Sequence, residues 1–596
     1  MLVYGDHQDE VGIADALASL LKRLAAIEAS EPGIGRHAAL VAALIEAGRL
    51  QQGVQDADFE QSGVDRITPA GQALGAFLTE LAELVIASWR DPAAPIAALP
   101  KLRELKDAPD RLRLNLPEGY AFYAVYPEAY ADAAERLRLD APPKVIGLRS
   151  IGTSLAAIAA AALGAPPPVT VRPAGDPFDR KIEIDPELER DLLAQPAHYV
   201  VVDEGPGLSG SSFGAVADWL LAKGVPEQRI AFLPSHGGAP GVHAQPRHRE
   251  RWPRIQKQVA DLGSRLAGRV ASWIEPLIGP LERAPMEISG GGWRPLLLVD
   301  ENQWPPANPV WSPRKFLLRA GGAEWASSFV GLSEEGNRKL RIAQALHEAG
   351  FAARPAGLAH GFLVQRWHGE ARPLHAAEPP LEEIASYLTA RVRLDVPRPG
   401  ASLAELLLMA RRNAGLALGD WAAERLDAWT PCLSELQARV RPICSDNRME
   451  PHEWIRLPNG KLFKADALDH HAAHDLIGCQ DIAWDVVGTV EEFGLGAQQV
   501  RELVRAIEAR TGRLVDAELM HFLSHAYLAF RLGQASMAAE MVGEPERRRW
   551  QHRIDVFGER LRVRLNNMEP VATPRISSLG RQPERTASGT NLHSQG

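Results

Sequence analysis

The middle of the chain contains the stretch that decides its fold, Tyr199-Val200-Val201-Val202-Asp203-Glu204-Gly205-Pro206-Gly207-Leu208-Ser209-Gly210-Ser211-Ser212. The apolar run predicts a buried strand, and the two acids after it would lie at the strand's carboxyl end, where parallel sheets bind ligands. The glycines would let the backbone approach a ligand, and the serine-rich helix start offers amide groups to an anion. The stretch therefore predicts a phosphate-binding strand-turn-helix unit. A turn whose Ser212 only caps the helix is the simpler alternative.

The same pattern extends to both sides of this stretch. Short apolar runs at residues 145–148, 169–171, 199–202 and 230–233 alternate with helical segments at residues 153–163 and 211–222. Such alternation predicts a parallel sheet with crossover helices. We expect a multidomain α/β protein, because 596 residues with 45% hydrophobic content exceed what one core usually organises.

A second candidate anion site follows the first of these strands, in the turn Arg149-Ser150-Ile151-Gly152-Thr153-Ser154. Arg149 and the amides of this turn would neutralise an anionic group. The alternative is a surface Arg149 beside a capped helix. Between the two turns lies a loop with Arg172 and Arg180, which is either functional or an ordinary hairpin.

These segments resemble the type I phosphoribosyltransferases, whose phosphoribosyl-pyrophosphate (PRPP) loop follows an apolar strand with two acids and a Thr/Ser-Gly-x-Thr/Ser turn. The resemblance implies that Asp203 and Glu204 form the catalytic pair on the ribose hydroxyls. It implies binding of PRPP phosphates by Arg149, Ser150, Gly152, Thr153, Ser209, Gly210, Ser211 and Ser212, with Arg172 or Arg180 on a closing loop. The spacer at residues 205–208 is one residue longer than in the family. The implied reaction is Mg²⁺-dependent transfer of a phosphoribosyl group to or from a small-molecule acceptor.

Spaced acids alternate with short apolar runs in the C-terminal half, at Asp446, Glu453, Asp466, Asp469, Asp481 and Asp485. Carboxylate oxygens of this kind suit Mg²⁺ beside phosphate groups. Their order resembles the aminoglycoside phosphotransferase and choline kinase-like family, which has a catalytic Asp loop, a metal-binding Asp after a strand and an Asp-x-x-Trp-Asp segment.

This second resemblance implies that Asp446 is the acidic residue of the catalytic loop and that Asp466 binds the metal, with Asp469 three residues further on. Glu453 or His452 stands near the place of an Asn metal ligand, and Asp481 and Asp485 brace the loop. ATP would be the phosphate donor. The family's strand lysine is absent from residues 325–329, with Lys315 and Lys339 as replacements, so an active and an inactive kinase-like domain are both open.

The composition shifts divide the chain into five parts. They are a helical N-terminal region at residues 1–110, a phosphoribosyltransferase-like α/β domain at 111–240, a helical connector at 241–290, a kinase-like α+β domain at 291–568 and a disordered tail at 569–596. The histidines of residues 470–474 are compatible with a metal site, but a polar loop or surface helix is the simpler interpretation.

Charge and cysteine content exclude several classes of function. A net charge of -9 gives no electrostatic reason to bind nucleic acid, and three unpaired-looking cysteines suit a reducing cytoplasm. No apolar run reaches the length of a membrane span. We therefore expect a soluble cytoplasmic enzyme with small-molecule substrates that joins a phosphoribosyltransferase to a kinase-like domain. A regulator in which both folds bind nucleotides without turnover, and a ribosyl hydrolase, are the alternatives.

Overall fold

The computed structural model describes residues 8–96, 98–207, 209–241, 243–468, 470 and 476–568. Leu208, Asp469 and the tail expected from residue 569 onward lie outside the described residues. The molecule is a multidomain α/β protein with mixed sheets, and 51% of it is helical.

A helical unit forms the N-terminal part. It consists of β1 (Gln8–Gly12), α1 (Ile13–Glu28), α2 (Ile34–Ser62), α3 (Pro69–Arg90), β2 (Arg111–Asn115), α4 (Glu118–Phe122) and α5 (Pro127–Ala134). The two strands pair antiparallel with each other. Helix α3 is long and apolar enough to cross a membrane by length and composition alone, but 61% of its apolar window is buried inside the fold. It packs against α2 and against the helix of residues Gly152–Leu163, and it is a core helix of this unit.

A parallel unit follows the helical unit. It consists of β3 (Pro143–Leu148), α6 (Gly152–Leu163), β4 (Val169–Val171), β5 (Ala174–Asp176), β6 (Asp179–Lys181), α7 (Pro186–Leu193), β7 (His198–Val202), α8 (Ser211–Ala222), β8 (Ile230–Leu233), α9 (Pro246–Arg251) and β9 (Gln256–Lys257). The strand order is β4-β3-β7-β8-β9, and every neighbouring pair is parallel. The predicted strands and helices of this region are confirmed to within two residues.

The winding of this sheet reverses between β3 and β7, because the chain places β4 on one side of β3 and β7 on the other. Ligands of open parallel sheets bind at the carboxyl ends of the strands at such a reversal. The turns after β3 and β7 adjoin there: a Cβ on Gly152 would lie 2.7 Å from the Val202 carbonyl oxygen. We call the space between these two turns the crevice.

The C-terminal unit contains two antiparallel sheets and eleven α-helices among the described residues. Its elements are α10 (Arg265–Ile278), β10 (Met286–Glu287), α11 (Arg294–Leu297), β11 (Lys315–Ala320), β12 (Ala323–Phe329), α12 (Ser333–Glu348), β13 (Pro355–Ala359), β14 (Phe362–Arg366), β15 (Arg372–Pro373), α13 (Leu381–Val392), α14 (Leu403–Leu418), α15 (Asp420–Leu426), α16 (Leu433–Arg439), β16 (Trp454–Arg456), β17 (Leu462–Lys464), α17 (Ile482–Phe493), α18 (Ala497–Thr511), α19 (Ala517–Met541) and α20 (Glu546–Asn566). The larger sheet has the order β10-β11-β12-β14-β13, and the smaller has β15-β16-β17.

The hydrophobic cores do not follow the predicted domain boundaries. One core joins Leu81 of the helical unit, Leu155 of the parallel unit and Phe316 of the larger antiparallel sheet, while a second core fills the helices after α12. The segment expected to be a helical connector also contributes β9 to the parallel sheet and β10 to the antiparallel sheet. Each of these strands has only two residues, and a strand of that length is too short to be predicted from alternating apolar and polar residues.

Candidate functional site

A buried loop at residues 443–453, here called the acidic loop, carries Asp446 into the centre of the C-terminal unit. The Asp485 carboxylate accepts hydrogen bonds from the backbone amides of Asp446 and Asn447, each at 2.8 Å. Asn447 has a φ of 67°, and its side chain donates to the Gly478 carbonyl at 2.8 Å. Asp481 caps α17 by accepting from the Ala483 amide at 2.9 Å. Asp485 therefore fixes the acidic loop directly, while Asp481 fixes the helix that carries Asp485.

The Asp446 carboxylate is surrounded by donors. Lys464 Nζ lies 3.3 Å from Oδ2, His470 Nδ1 lies 3.4 Å from Oδ1, and the Tyr387 hydroxyl donates to Oδ2. Burial alone would raise the pKa of Asp446, but Lys464, His470 and Arg391 outweigh it and hold the pKa far below its usual range. Asp446 is therefore a carboxylate at neutral pH.

Lys464 lies between two of the predicted site residues. Its Nζ is 2.7 Å from Glu453 Oε2 as well as 3.3 Å from Asp446, and its side chain is fully buried. The single positive charge of the ammonium group attracts both carboxylates and offsets part of their combined negative charge. Sequence reasoning missed this residue. The available signal was a lysine at the end of the apolar strand Leu462–Lys464, because lysine is almost never fully buried unless paired.

Asp466, the predicted metal ligand, is the most open of the three acids. Its side chain is 33% exposed, against 0% for Asp446 and 6% for Glu453. Lys315 Nζ of β11 lies 2.7 Å from Asp466 Oδ1, and His470 Nε2 lies 3.8 Å from Oδ2. Burial would raise the pKa of Asp466, but Lys315 and His470 outweigh it and hold the pKa well below its usual range. An ionised, partly open carboxylate of this kind suits Mg²⁺.

The structure thus brings Asp446, Glu453 and Asp466 together, and it adds Lys315 rather than Lys339. Lys339 of α12 is buried over the ring of Phe122, at 5.2 Å from its centroid, and so faces the helical unit. Asp469 and His474 lie outside the described residues. Ligating atoms of Asp446, Glu453 and His470 all lie within 4.8 Å of one another, so this cluster has the spacing of a cation site.

A cavity of about 390 Å³ opens beside the acidic loop, within the size range of small-molecule sites. Its lining residues are Asn302, Trp304, Pro305, Pro306, Glu450, His452, Arg548, Arg549, His552 and Arg553. Glu450 belongs to the acidic loop and accepts hydrogen bonds from Arg531 and Arg553, each at 2.9 Å. The cavity is therefore joined to the Asp446 loop by a fixed ion-pair network.

The crevice of the parallel unit holds the acid pair Asp203 and Glu204. The Tyr130 hydroxyl donates to the Asp203 backbone carbonyl at 2.8 Å, and a Cβ on Gly119 would lie 2.7 Å from Glu204 Oε2. Elements α4 and α5 of the helical unit therefore cover this acid pair. Burial raises the pKa of Asp203 to about 7.

The Arg149 guanidinium is already paired with acidic side chains and is not free to bind an anion in the crevice. It is buried, its Nε lies 2.8 Å from Asp56 Oδ1, and its Nη2 contacts Asp65. Arg172 makes a second contact with Asp56 and donates to the Arg149 carbonyl at 2.9 Å. This corrects the expectation for both arginines, because acids of the helical unit already neutralise them. In the same turn the Thr153 amide already donates to the Ser150 carbonyl at 3.1 Å, so the remaining predicted amide donors are those of Ser150 and Gly152.

The hairpin β5–β6 lies on the N-terminus of α8. Arg180 donates to the Ser212 hydroxyl at 2.7 Å, and the Ser211 hydroxyl donates to the Pro177 carbonyl at 2.7 Å. Ser209 Oγ lies 2.9 Å from Ser211 Oγ. Gly210, with a φ of 62°, is the N-cap of α8, so Ser212 is not the capping residue. The structure therefore places Arg180, unlike Arg172, beside the predicted phosphate-binding serines.

No protein-family model and no curated protein matches the chain. The chain is, however, similar to several solved structures. Choline kinase LicA from Streptococcus pneumoniae is 15% identical over 41% of this chain and 89% of its own, with a TM-score of 0.32. A putative aminoglycoside phosphotransferase from Ralstonia eutropha JMP134 is 12% identical over 50% and 98%, with a TM-score of 0.36. Spectinomycin phosphotransferase APH(9)-Ia, solved with ADP and spectinomycin, is 11% identical over 49% and 94%, with a TM-score of 0.31. At these TM-scores the likeness establishes no family, and the proposals below rest on residue geometry.

Proposed function

We propose that the C-terminal unit is a Mg²⁺- and ATP-dependent phosphotransferase that acts on a hydroxyl group of a small molecule. The observation that carries this proposal is the convergence of Asp446, Glu453 and Asp466 at one site that Lys315 reaches from the antiparallel sheet. Phosphoryl transfer needs an ionised acid, a bound hard cation and a fixed positive charge near the phosphates. The carboxylates would supply the acid and the oxygen ligands for Mg²⁺, and Lys315 would supply the fixed positive charge.

Each residue has a distinct role in the proposed reaction. Asp446 accepts the proton of the acceptor's hydroxyl group as the O–H bond breaks. The acceptor's oxygen then bonds to the γ-phosphorus of ATP, while the bond from that phosphorus to the ADP oxygen breaks. Asp466, with Glu453, would hold Mg²⁺, which neutralises charge on the phosphates. Lys315 leaves Asp466 for the phosphate oxygens when the nucleotide binds. Asp485 holds the backbone of Asp446 in position.

The cavity beside the acidic loop is the proposed acceptor site. Three arginines and two histidines line it. Such donors recognise acceptors that carry hydroxyl, carboxylate or phosphate oxygens. Trp304 adds a flat apolar wall to the same cavity.

A non-catalytic nucleotide-binding regulator is the second candidate for this unit, and one observation favours it. Asp446 has no exposed side-chain surface, and Lys464 already forms an ion pair with it and with Glu453. A base in this state must gain access to its acceptor through movement of the loop.

The test is nucleotide binding and turnover by the full chain. ATP binding is measured by calorimetry with Mg²⁺, and ADP formation is followed with a bacterial small-molecule extract as acceptor source. The variants are Asp446→Asn and Asp466→Asn, with Asp555→Asn, at an exposed position of α20, as the matched control. The kinase proposal expects ADP formation that both site variants abolish and the control retains. Binding without turnover supports the regulator, and absence of ATP binding contradicts both.

We further propose a Mg²⁺-dependent phosphoribosyltransferase activity for the parallel unit, with PRPP as substrate. It is supported by the position of Asp203 and Glu204 at the winding reversal, beside the glycine-rich start of α8. The acids would hold the ribose hydroxyls, and the α8 amides with Arg180 would hold the 5′-phosphate.

Pyrophosphate release from PRPP and Mg²⁺ is measured for the wild type and for the Asp203→Asn, Glu204→Gln double variant, with exposed Asp191→Asn as control. If the protein neither binds PRPP nor releases pyrophosphate from it, this proposal is wrong. Pyrophosphate release with water as the only acceptor would indicate a hydrolase.

A further inference from the structure

Two histidines and a glutamate from distant parts of the chain meet in the core, outside both proposed active sites. His37 Nε2 of α2 lies 2.8 Å from Glu128 Oε1 of α5, and His360 Nε2 lies 2.7 Å from the same oxygen. His360 occupies the turn between β13 and β14, 232 residues from Glu128. This cluster, here called the His-Glu-His cluster, therefore joins the helical unit to the antiparallel sheet.

The cluster is enclosed by aromatic rings. His37 stacks on Trp89 with centroids 5.8 Å apart, and Trp273 meets His360 edge-on at 4.8 Å. Tyr126 donates a hydrogen bond to the His360 carbonyl at 3.0 Å. Exposures of 0%, 1% and 4% for His37, Glu128 and His360 show that bulk water does not reach them.

Hydrogen bonds alone leave this cluster incompletely satisfied. If both Nε2 atoms donate to Glu128 Oε1, the Nδ1 atoms of His37 and His360 and the second carboxylate oxygen, Oε2, have no partner among the described residues. The Glu128 carboxylate would also be buried in this aromatic enclosure. Buried charges in proteins are paired or coordinate metals, because leaving them unpaired is costly.

We propose that the His-Glu-His cluster is a structural site for a divalent transition-metal ion of the zinc class. The two Nε2 atoms and both oxygens of Glu128 supply four donors of the types that zinc prefers. The nitrogens and Oε1 already lie within 4.8 Å of one another. The ion takes up Oε2, offsets the carboxylate charge and binds the helical unit to the antiparallel sheet. This site depends on neither proposed reaction.

The test uses the untagged full-length chain, because a histidine tag would bind the same ions. Chelator-treated protein is loaded with Zn²⁺ or Co²⁺ and desalted, and bound metal is measured by mass spectrometry alongside the visible spectrum of the Co²⁺ form. The site variants are Glu128→Gln and His360→Gln. The matched control is His198→Gln, another buried histidine, at a separate place beside Asp140. A second control, Asp446→Asn with Asp466→Asn, removes two carboxylates of the proposed kinase site.

The expected result is one retained ion per chain in the wild type and both controls, with affinity lower by at least about tenfold in Glu128→Gln and His360→Gln. Chelation should lower the melting temperature of the wild type, and Zn²⁺ should restore it. This second measurement needs no variant, so it is decisive even when a variant fails to fold. Protein that retains no ion and melts identically with and without Zn²⁺ overturns the proposal and leaves a hydrogen-bonded cluster. Metal retained equally in folded site variants overturns it as well.

Discussion

Lys315 Nζ lies 2.7 Å from Asp466 Oδ1, although 151 residues separate them in the sequence. The contact joins the first long strand of the larger antiparallel sheet to the segment after β17. It places a cation from the sheet at the acid that is most open to solvent. The kinase-like hypothesis lacked a strand lysine at residues 325–329, and this contact supplies a candidate from the neighbouring strand.

Replacement of Lys315 by Met should weaken ATP binding. A charge-assisted hydrogen bond contributes roughly 1.5–3 kcal/mol, so the affinity should fall about tenfold or more. Calorimetry with Mg-ATP measures the change. Lys461→Met, an exposed lysine of the same unit, is the control and should bind ATP as the wild type does. Equal affinities for Lys315→Met and the control would remove Lys315 from the nucleotide site.

Replacement of Lys464 by Met should strongly destabilise the fold. Asp446 and Glu453 would remain buried without their shared cation, and breaking a buried ion pair costs about 3–5 kcal/mol. Urea unfolding measures the free energy. Adding Glu453→Gln to Lys464→Met should recover part of the loss, because one uncompensated charge is then gone. A double variant no more stable than the single one would argue against charge as the cause.

Replacement of Arg149 by Met should destabilise the protein by a similar amount, about 3–5 kcal/mol, because Asp65 would lose its buried partner. The exposed Arg190→Met should change the unfolding free energy by no more than roughly 0.5 kcal/mol. In a double-mutant cycle with Asp65→Asn, the two effects should not add. Strict additivity would mean that the two groups do not interact.

Replacement of Asp203 by Asn should change the pH dependence of stability. The folded pKa of about 7 lies above the ordinary value of 3.8, so between these values the native state holds a proton that the unfolded chain has released. The unfolding free energy of the wild type therefore falls as pH rises through this window, by up to roughly 1.4 kcal/mol per pH unit.

Asn cannot ionise, so Asp203→Asn should gain stability relative to the wild type between pH 5 and pH 8 when both are unfolded in urea. Asp191→Asn should show no such gain. A stability difference that stays constant with pH would mean that Asp203 titrates normally in the folded state.

The sequence by itself determined the strands β3, β4, β7 and β8 and the helices α6 and α8 of the parallel unit. Helix α8, Ser211–Ala222, and strand β8, Ile230–Leu233, occur where the apolar pattern predicts them, because hydrophobic periodicity is local along the chain. The order and spacing of Asp446, Glu453 and Asp466 also predicted that these acids belong to one candidate site.

Only the tertiary structure decided which charges meet. Arg149 looked available to an anion, yet Asp65, 84 residues away, contacts it in the core. Lys464 carried no motif, but the fold places it between Asp446 and Glu453. His37, Glu128 and His360 come together only because α2, α5 and the β13–β14 turn pack into one core. Contacts between distant segments depend on how whole elements pack, and no local pattern encodes them.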